Sequence, residues 1–273
     1  MLYTSQQTAE IQQHFFAFLK VEEQNHVLTL TLNRPEKKNA LNPTLLHELA
    51  FGLSYAHHNP TIWVVVIKAT GDVWCAGMDL KAMSGQSQTD TSTIPNPLEA
   101  VVLGDLFAGL HKPCIAQVHA PVYAGGFLII GGCTHVVASE KAVLGLPEVK
   151  RGLFPFQVLN TLLQLIPARK ALDWCMRGKN LSAQQAYEVG LVTELVNEEQ
   201  LESAVNELVA ELLLYSPTAI QKGLEVYQNL PSVPQQDRHQ YLLEQFVALQ
   251  QTADAKEGIA AFNEKRKPIW SGK

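Results

Sequence analysis

Apolar and polar positions divide the chain into two regimes. In the first, short β-rich runs alternate with stretches of helical spacing. Residues 26–32 (HVLTLTL) form a β-rich run that stops at Asn33-Arg34-Pro35, a turn signal. Asn42-Pro43 then opens a helix in which Leu45, Leu46, Leu49 and Leu53 recur at helical spacing. Residues 63–68 (WVVVIK) are a continuous apolar run, which predicts a strand buried on both faces. Residues 115–118 and 136–138 predict further short strands of that kind. Strands separated by helical stretches imply right-handed βαβ units and a mostly parallel sheet, an α/β fold.

After about Pro155 the pattern turns helical. Expected helices cover 157–165, 168–176, 182–189, 198–214 and 238–262, with one short strand at 191–196. Residues 84–97 (SGQSQTDTSTIPNP) are polar and aperiodic, and predict a surface loop. No internal repeat is visible.

Composition narrows the classes. The 273 residues are 47% hydrophobic and 17% charged, enough for one large domain. Lys and Arg total 21 against 26 Asp and Glu, a net charge of -5, which argues against a nucleic-acid partner. No apolar run is long enough to span a bilayer; the longest, 122–137, is interrupted by glycines, Thr134 and His135. The first residues lack the basic start and apolar core of a signal peptide, and the final residues match no receptor-read address, so a cytoplasmic location is expected. The four cysteines show no zinc spacing and read as small buried hydrophobes; no metal is expected.

Two glycine-containing turns follow β-rich runs: Trp74-Cys75-Ala76-Gly77-Met78-Asp79-Leu80 and Ala124-Gly125-Gly126-Phe127-Leu128. Such turns present free backbone N–H groups, and two facing one another would stabilise a developing oxyanion. They serve packing alone equally well. Neither carries the GxGxxG pattern of a dinucleotide site, nor is there a phosphate-binding GxxxxGK[ST] loop. Glu148 sits among apolar residues after Pro147, where desolvation would move its pKa toward values useful for proton transfer. Its bland alternative is a surface pair with Lys150 or Arg151.

The segments ALN (residues 40–42), CAGMDLKAM (75–83), KPCIAQVHAPVYAGG (112–126), ASEKAVLGLPEVKRGLFP (138–155) and EGIAAFNEKRKP (257–268) together resemble the enoyl-CoA hydratase/isomerase, or crotonase, superfamily. Their order and spacing match from about Val21 to the C-terminus. The resemblance implies a crotonase fold (ClpP/crotonase-like): a spiral of ββα units over 21–200 after an N-terminal extension, 1–20, and a helical C-terminal region, 201–273, that makes trimers or dimers of trimers. It implies an acyl-CoA thioester as substrate, with no separate cofactor. By motif, the Met78 and Gly125 N–H groups would form the oxyanion hole. Asp79, Leu80 and Lys81 would belong to the substrate-contacting turn. Lys37, Lys38 and Ala40 fall where the family holds the CoA nucleotide, and Phe262 and Lys265 match terminal-helix positions that reach CoA, often across a subunit interface. For the lysines, a solvated surface charge is the competing reading.

One departure is informative. The hydratases of this family carry two glutamates; counted without gaps from Lys112-Pro113, the first position is Leu128 here and the second is Glu148. The first glycine of the family's triplet is Ala124. Syn hydration divides its work between two carboxylates, whereas moving a double bond from C3 to C2 needs one base and an oxyanion hole. Leucine followed by glutamate, and the apolar run Gly152-Leu153-Phe154-Pro155-Phe156, resemble the mitochondrial Δ3,Δ2-enoyl-CoA isomerases. The leading expectation is a one-glutamate isomerase. Three others stand beside it: a decarboxylase acting on a CoA or acyl-carrier-protein thioester, a weak hydratase drawing a base from His119 or Tyr123, and an acyl-CoA-binding subunit without turnover. Leu128, Phe127, Phe154 and Phe156 suggest an apolar pocket or core, and the loop 84–97 is expected to border that pocket.

Overall fold

A computed structural model describes residues 1–83, 90–97 and 99–273. Nine strands run in chain order: β1 (Leu19–Gln24), β2 (Val27–Leu32), β3 (Val64–Ala69), β4 (Cys114–Val118), β5 (Val122–Tyr123), β6 (His135–Ser139), β7 (Val143–Gly145), β8 (Asn180–Ser182) and β9 (Glu194–Val196). The α-helices are α1 (Ser5–Thr8), α2 (Pro43–His58), α3 (Leu80–Met83), α4 (Gly126–Gly132), α5 (Phe156–Leu165), α6 (Ala168–Arg177), α7 (Ala183–Glu188), α8 (Leu201–Leu213), α9 (Pro217–Asn229), α10 (Arg238–Leu249) and α11 (Ala253–Glu264). Six strands form one sheet in the order β1-β2-β3-β4-β6-β9, and β5-β7-β8 form a second. Beyond the antiparallel β1–β2 hairpin, the larger sheet is parallel.

The apolar run in β3 is buried on both faces, as its composition predicts. Val65 and Ile67 point into the main core, while Val64 and Val66 meet Leu201 and Val205 of α8 on the other side. That two-sided cover is what allows a parallel strand without polar alternation. The α2 helix starts where Asn42-Pro43 foretells, with the Asn42 side chain accepting from the Leu45 N–H at 2.9 Å. Among the described residues no helix is long and apolar enough to cross a membrane.

Several expectations need correction, among them the strand expected at 191–196, which is confined to Glu194–Val196. The first strand expected, 26–32, begins one residue later: Asn25 and His26 take positive φ (48° and 68°) as the two-residue turn that joins β1 to β2. The helix expected over 238–262 is two helices. It breaks at residues 250–252, where the Thr252 side chain accepts from the Ala255 N–H and caps α11. Helix α9 went unforeseen although Ser216-Pro217 is a readable start, with the serine as cap and the proline in the first turn. The loop expected at 84–97 lies partly outside the described residues; its second half, 90–97, is irregular.

The helical C-terminal region is locked by Asp254, which is 1% exposed. Its carboxylate accepts from Ser271 N and Oγ and Gly272 N on one oxygen, and from Ser216 Oγ and Thr218 Oγ1 on the other, at 2.8–3.2 Å. Burial pushes its pKa up, but these donors outweigh burial and hold it below the usual aspartate range. Asp254→Ala orphans the whole donor set and is expected to lower the unfolding free energy by about 3 kcal/mol, measured by urea denaturation at pH 7. Because the native pKa is depressed, that stabilisation is complete above the ordinary aspartate value. The gap to Asp254→Ala therefore narrows as pH falls through the lowered native value.

Candidate functional site

Parallel pairing brings the two glycine turns and Glu148 to one end of neighbouring strands. Cys75 bridges Val122, and β5 pairs with β7 through Val122–Leu144 and Tyr123–Gly145. Met78 lies three residues beyond Cys75, Gly125 three beyond Val122, and Glu148 four beyond Leu144. The Tyr123 N–H donates to Cys75 O (2.8 Å) and the Ala124 N–H to Gly145 O (3.0 Å), so the chains stay in step up to the turns themselves.

The two turns touch. Gly77 takes φ +84°, and a Cβ there would lie 2.5 Å from Ala124 Cβ and 3.0 Å from Gly125 N. The Met78 nitrogen is 3.6 Å from where a Gly125 Cβ would stand. Among the described residues, neither the Met78 N–H nor the Gly125 N–H has an acceptor, while their neighbours Asp79 and Ala124 are both bonded. Two unspent donors therefore sit side by side, on turns too close to admit a side chain between them. Ala124, where the family's triplet has glycine, holds φ +52°; a left-handed non-glycine residue costs roughly 1–2 kcal/mol.

Glu148 stands in a short 3-10 turn, Pro147–Arg151. It forms no ion pair with Lys150 or Arg151, and its Oε2 is buried with no hydrogen-bond partner among the described residues. Burial raises its pKa, opposed by its own backbone N–H and by the Arg151 charge. Cys175 of α6 is raised to about 11 by burial and by the Glu148 carboxylate. The surface-pair alternative for Glu148 does not hold: this is a half-buried carboxyl biased toward taking a proton.

The remaining sequence-predicted residues separate into groups. Lys37, Lys38 and Ala40 flank the first turn, since the Ala76 N–H donates to Lys38 O (3.0 Å) and the Leu41 N–H to Gly77 O (2.8 Å); both lysines are exposed. Leu80 and Lys81 follow Met78 and are exposed. Asp79 is engaged within the protein: its Oδ2 meets Arg34 Nη1 at 2.8 Å and its Oδ1 accepts from the Lys81 and Ala82 N–H groups. The Arg34 hydrogen bond holds its pKa below the usual range despite some burial. Phe127 and Leu128 are core residues, Leu128 packing beside Gly104, whereas Phe156 is 75% exposed. Phe262 stands on α11 with 83% of its surface in solvent, and Lys265 caps the C-terminal end of that helix in the left-handed conformation. His119 donates from Nε2 to Gly71 O at 2.8 Å, and the Tyr123 ring lies against Gly145.

Sequence reading missed Arg34. It is 3% exposed and ties the loop before α2 to the first glycine turn, donating to Ala40 O and to Asp79 while its guanidinium lies 5.1 Å from the Phe18 ring centroid. In sequence it belongs to a turn signal, and nothing local marks it as buried. Among the described residues no cluster of three or more His, Cys, Asp or Glu side chains is arranged to hold a metal.

Comparison with known proteins bears on the fold and the family. Chain similarity reaches 33% identity with a mevalonyl-coenzyme A hydratase of Aspergillus fumigatus, covering 90% of this chain and 91% of that protein. It is 32% with the enoyl-CoA hydratase EchA19 of Mycobacterium tuberculosis, covering 91% and 94%. A crystal structure of an enoyl-CoA hydratase from Mycobacterium tuberculosis H37Rv superposes with a TM-score of 0.83 at 28% identity, over 94% of this chain and all of that one. The family profile of enoyl-CoA hydratase/isomerase matches residues 22–273. With crotonase-fold neighbours and that match across nearly its whole length, the chain belongs to the enoyl-CoA hydratase/isomerase family, whose enzymes act on acyl-CoA thioesters.

Proposed function

We propose that this member of the family is an enoyl-CoA isomerase that moves a double bond from C3 to C2 with Glu148 as its acid/base. The observation that carries the reading is one buried, unpartnered carboxyl oxygen on a turn that parallel pairing delivers to the same edge as two unspent N–H donors, with core-packed Leu128 where hydratases place a second carboxylate. In the forward direction the Glu148 carboxylate takes a proton from C2 of a 3-enoyl thioester. The electron pair left behind delocalises onto the thioester oxygen, where the Met78 and Gly125 N–H groups receive it. Each such donor is typically worth about 2.7–4 kcal/mol of barrier. The dienolate then takes the same proton back from Glu148 at C4, leaving a C2–C3 double bond and a carboxylate ready for another turn. No water is consumed, so no second carboxylate is required.

The names of the relatives favour a second reading, hydration, which in this chain would need a base other than residue 128. His119 donates its Nε2–H to the Gly71 carbonyl, so Nδ1 is the nitrogen that would have to serve as that base. A thioester decarboxylase, on CoA or on an acyl-carrier protein, would use the same donors without needing Glu148. We propose further that a homotrimer, or a dimer of trimers, covers the exposed apolar side chains Phe246, Ile259 and Phe262 of α10 and α11 and brings Phe262 and Lys265 toward a neighbouring subunit's CoA.

Two predictions follow from Glu148. With 3-hexenoyl-CoA, Glu148→Gln is expected to lower kcat by about 10² to 10⁴, the usual worth of a positioned acid/base. Wild-type kcat is expected to fall as pH drops through a midpoint above the ordinary glutamate value, because the base must be ionised. Crotonyl-CoA hydration stays slow in both proteins; fast hydration overturns the isomerase reading, and isomerisation that survives the substitution overturns the role of Glu148. The second prediction concerns stability. A raised native pKa means that ionising Glu148 opposes folding, so Glu148→Gln is expected to raise the thermal midpoint at pH 7.5. The advantage shrinks as pH falls through the raised native pKa toward the unfolded value, as the native carboxyl takes up its proton.

A further inference from the structure

The chain between the two glycine turns makes an excursion. It leaves the Met78 turn through α3 and returns at a 3-10 turn, Leu103–Asp105, whose Gly104 packs beside Leu128 of α4, one turn beyond Gly125. Both ends of this excursion therefore flank the two donor turns. Its described middle, 90–97, starts at Asp90, which is bonded to Thr44 Oγ1, two residues past the Asn42 cap and three past Leu41, the residue that bridges Met78. The segment has no regular structure of its own, so its position must be imposed from outside.

Residues 1–18 impose it. The Thr93 N–H donates to Phe15 O (3.0 Å), the Phe15 N–H to Thr93 Oγ1 (2.8 Å) and the His14 Nδ1–H to Thr93 O (3.2 Å). Tyr3, 1% exposed, donates its hydroxyl to Pro95 O at 3.0 Å. These residues are themselves pinned to α2. Phe51 takes the rings of Tyr3, His14 and Phe16 edge-on, with centroids at 5.0, 5.1 and 6.2 Å. Glu48, fully buried, accepts the Ala17 N–H (2.5 Å) on one carboxylate oxygen and the Phe18 N–H (2.9 Å) on the other. The strap thus joins the segment to the helix whose N-terminus flanks the first turn. It also precedes residue 22, where the family match begins.

We infer that residues 1–18 are a strap that positions 90–95 as a wall of the acyl site, so that Tyr3 and Thr93 help set which acyl chains the protein accepts. The inference rests on the two turns being the thioester site. The residues matched to CoA by motif, Lys37, Lys38, Ala40, Phe262 and Lys265, all lie outside 1–18 and 90–95, so a displaced wall is expected to change recognition of the acyl chain and leave recognition of CoA intact. Tyr3 and Thr93 are positioning residues in this account.

The test uses the full chain and ligands that do not react. Affinities of wild type and of the double variant Tyr3→Phe/Thr93→Val for CoA, butyryl-CoA and decanoyl-CoA are measured by calorimetry, with hydrogen exchange followed across 90–97. The expected result is exchange at least tenfold faster in that segment, unchanged CoA affinity, and a ratio of decanoyl to butyryl affinity altered at least threefold. Faster exchange with an unchanged ratio overturns the inference, as does unchanged exchange, or equal weakening toward all three ligands. If wild type binds CoA but gains nothing from either acyl chain, the thioester site itself is misplaced and the inference falls with it. Should the double variant fail to fold, Thr93→Val alone, which removes the acceptor of the Phe15 N–H, is read by the same criteria.

Discussion

The parallel pairing of Cys75, Val122 and Leu144 is the constraint on which the site depends. Strand β5 has two residues, yet it lies between the isolated Cys75 bridge that leads into the Met78 turn and the strand that leads to Glu148. Parallel strands in register deliver their following turns to the same edge, so three positions separated by up to 70 residues in sequence become neighbours. A one-residue slip in that register would turn each side chain to the opposite face and carry an N–H donor out of line with its partner. The Ala124 N–H to Gly145 carbonyl bond, one residue before the second donor, is the last stitch that prevents it.

Three carboxylates, two buried and one half-buried, show how one chemical group serves structure or reaction. Asp254 has five donors and fixes the C-terminal helices; Glu48 has a backbone donor on each oxygen and fixes the first residues to α2. Burial favours the neutral form in each, and the donors compensate for it, completely at Asp254. At Glu148 the compensation is only partial, from its own backbone N–H and the Arg151 charge, and Oε2 has no partner among the described residues. A group left in that state is destabilising to the fold and available to a substrate, and such locally unfavourable arrangements concentrate where chemistry is done. Ala124 in the left-handed region, on the adjoining turn, is another.

Much of this was legible in the chain. The β-branched run at 63–68 could only be a strand covered on both faces, and Asn42-Pro43 could only start a helix, because those signals are local. The family motifs carried the fold and the acyl-CoA chemistry, and they drew attention to Leu128 by what it lacks. The structure adds the physical context: Leu128 packs in the core beside Gly104 and presents no polar atom to the site. The break at 250–252 was misread because apolar spacing continues across it, while the capping hydroxyl of Thr252 competes with helix continuation only when the backbone turns to meet it.

Sequence alone determined the family and several of the longer elements, and marked Glu148 as the candidate acid/base, since these follow from side-chain periodicity and from residue types at fixed spacing. Tertiary structure decided whether those residues could act. Among the described residues it put the Met78 and Gly125 N–H groups side by side without acceptors, left Glu148 Oε2 without a partner, and buried Arg34 against Asp79, 45 positions away. It also fastened residues 1–18 to 90–95. None of this is encoded locally. A free donor, a desolvated carboxyl and a buried ion pair are defined by what distant segments do or do not supply, and only the folded chain fixes that inventory.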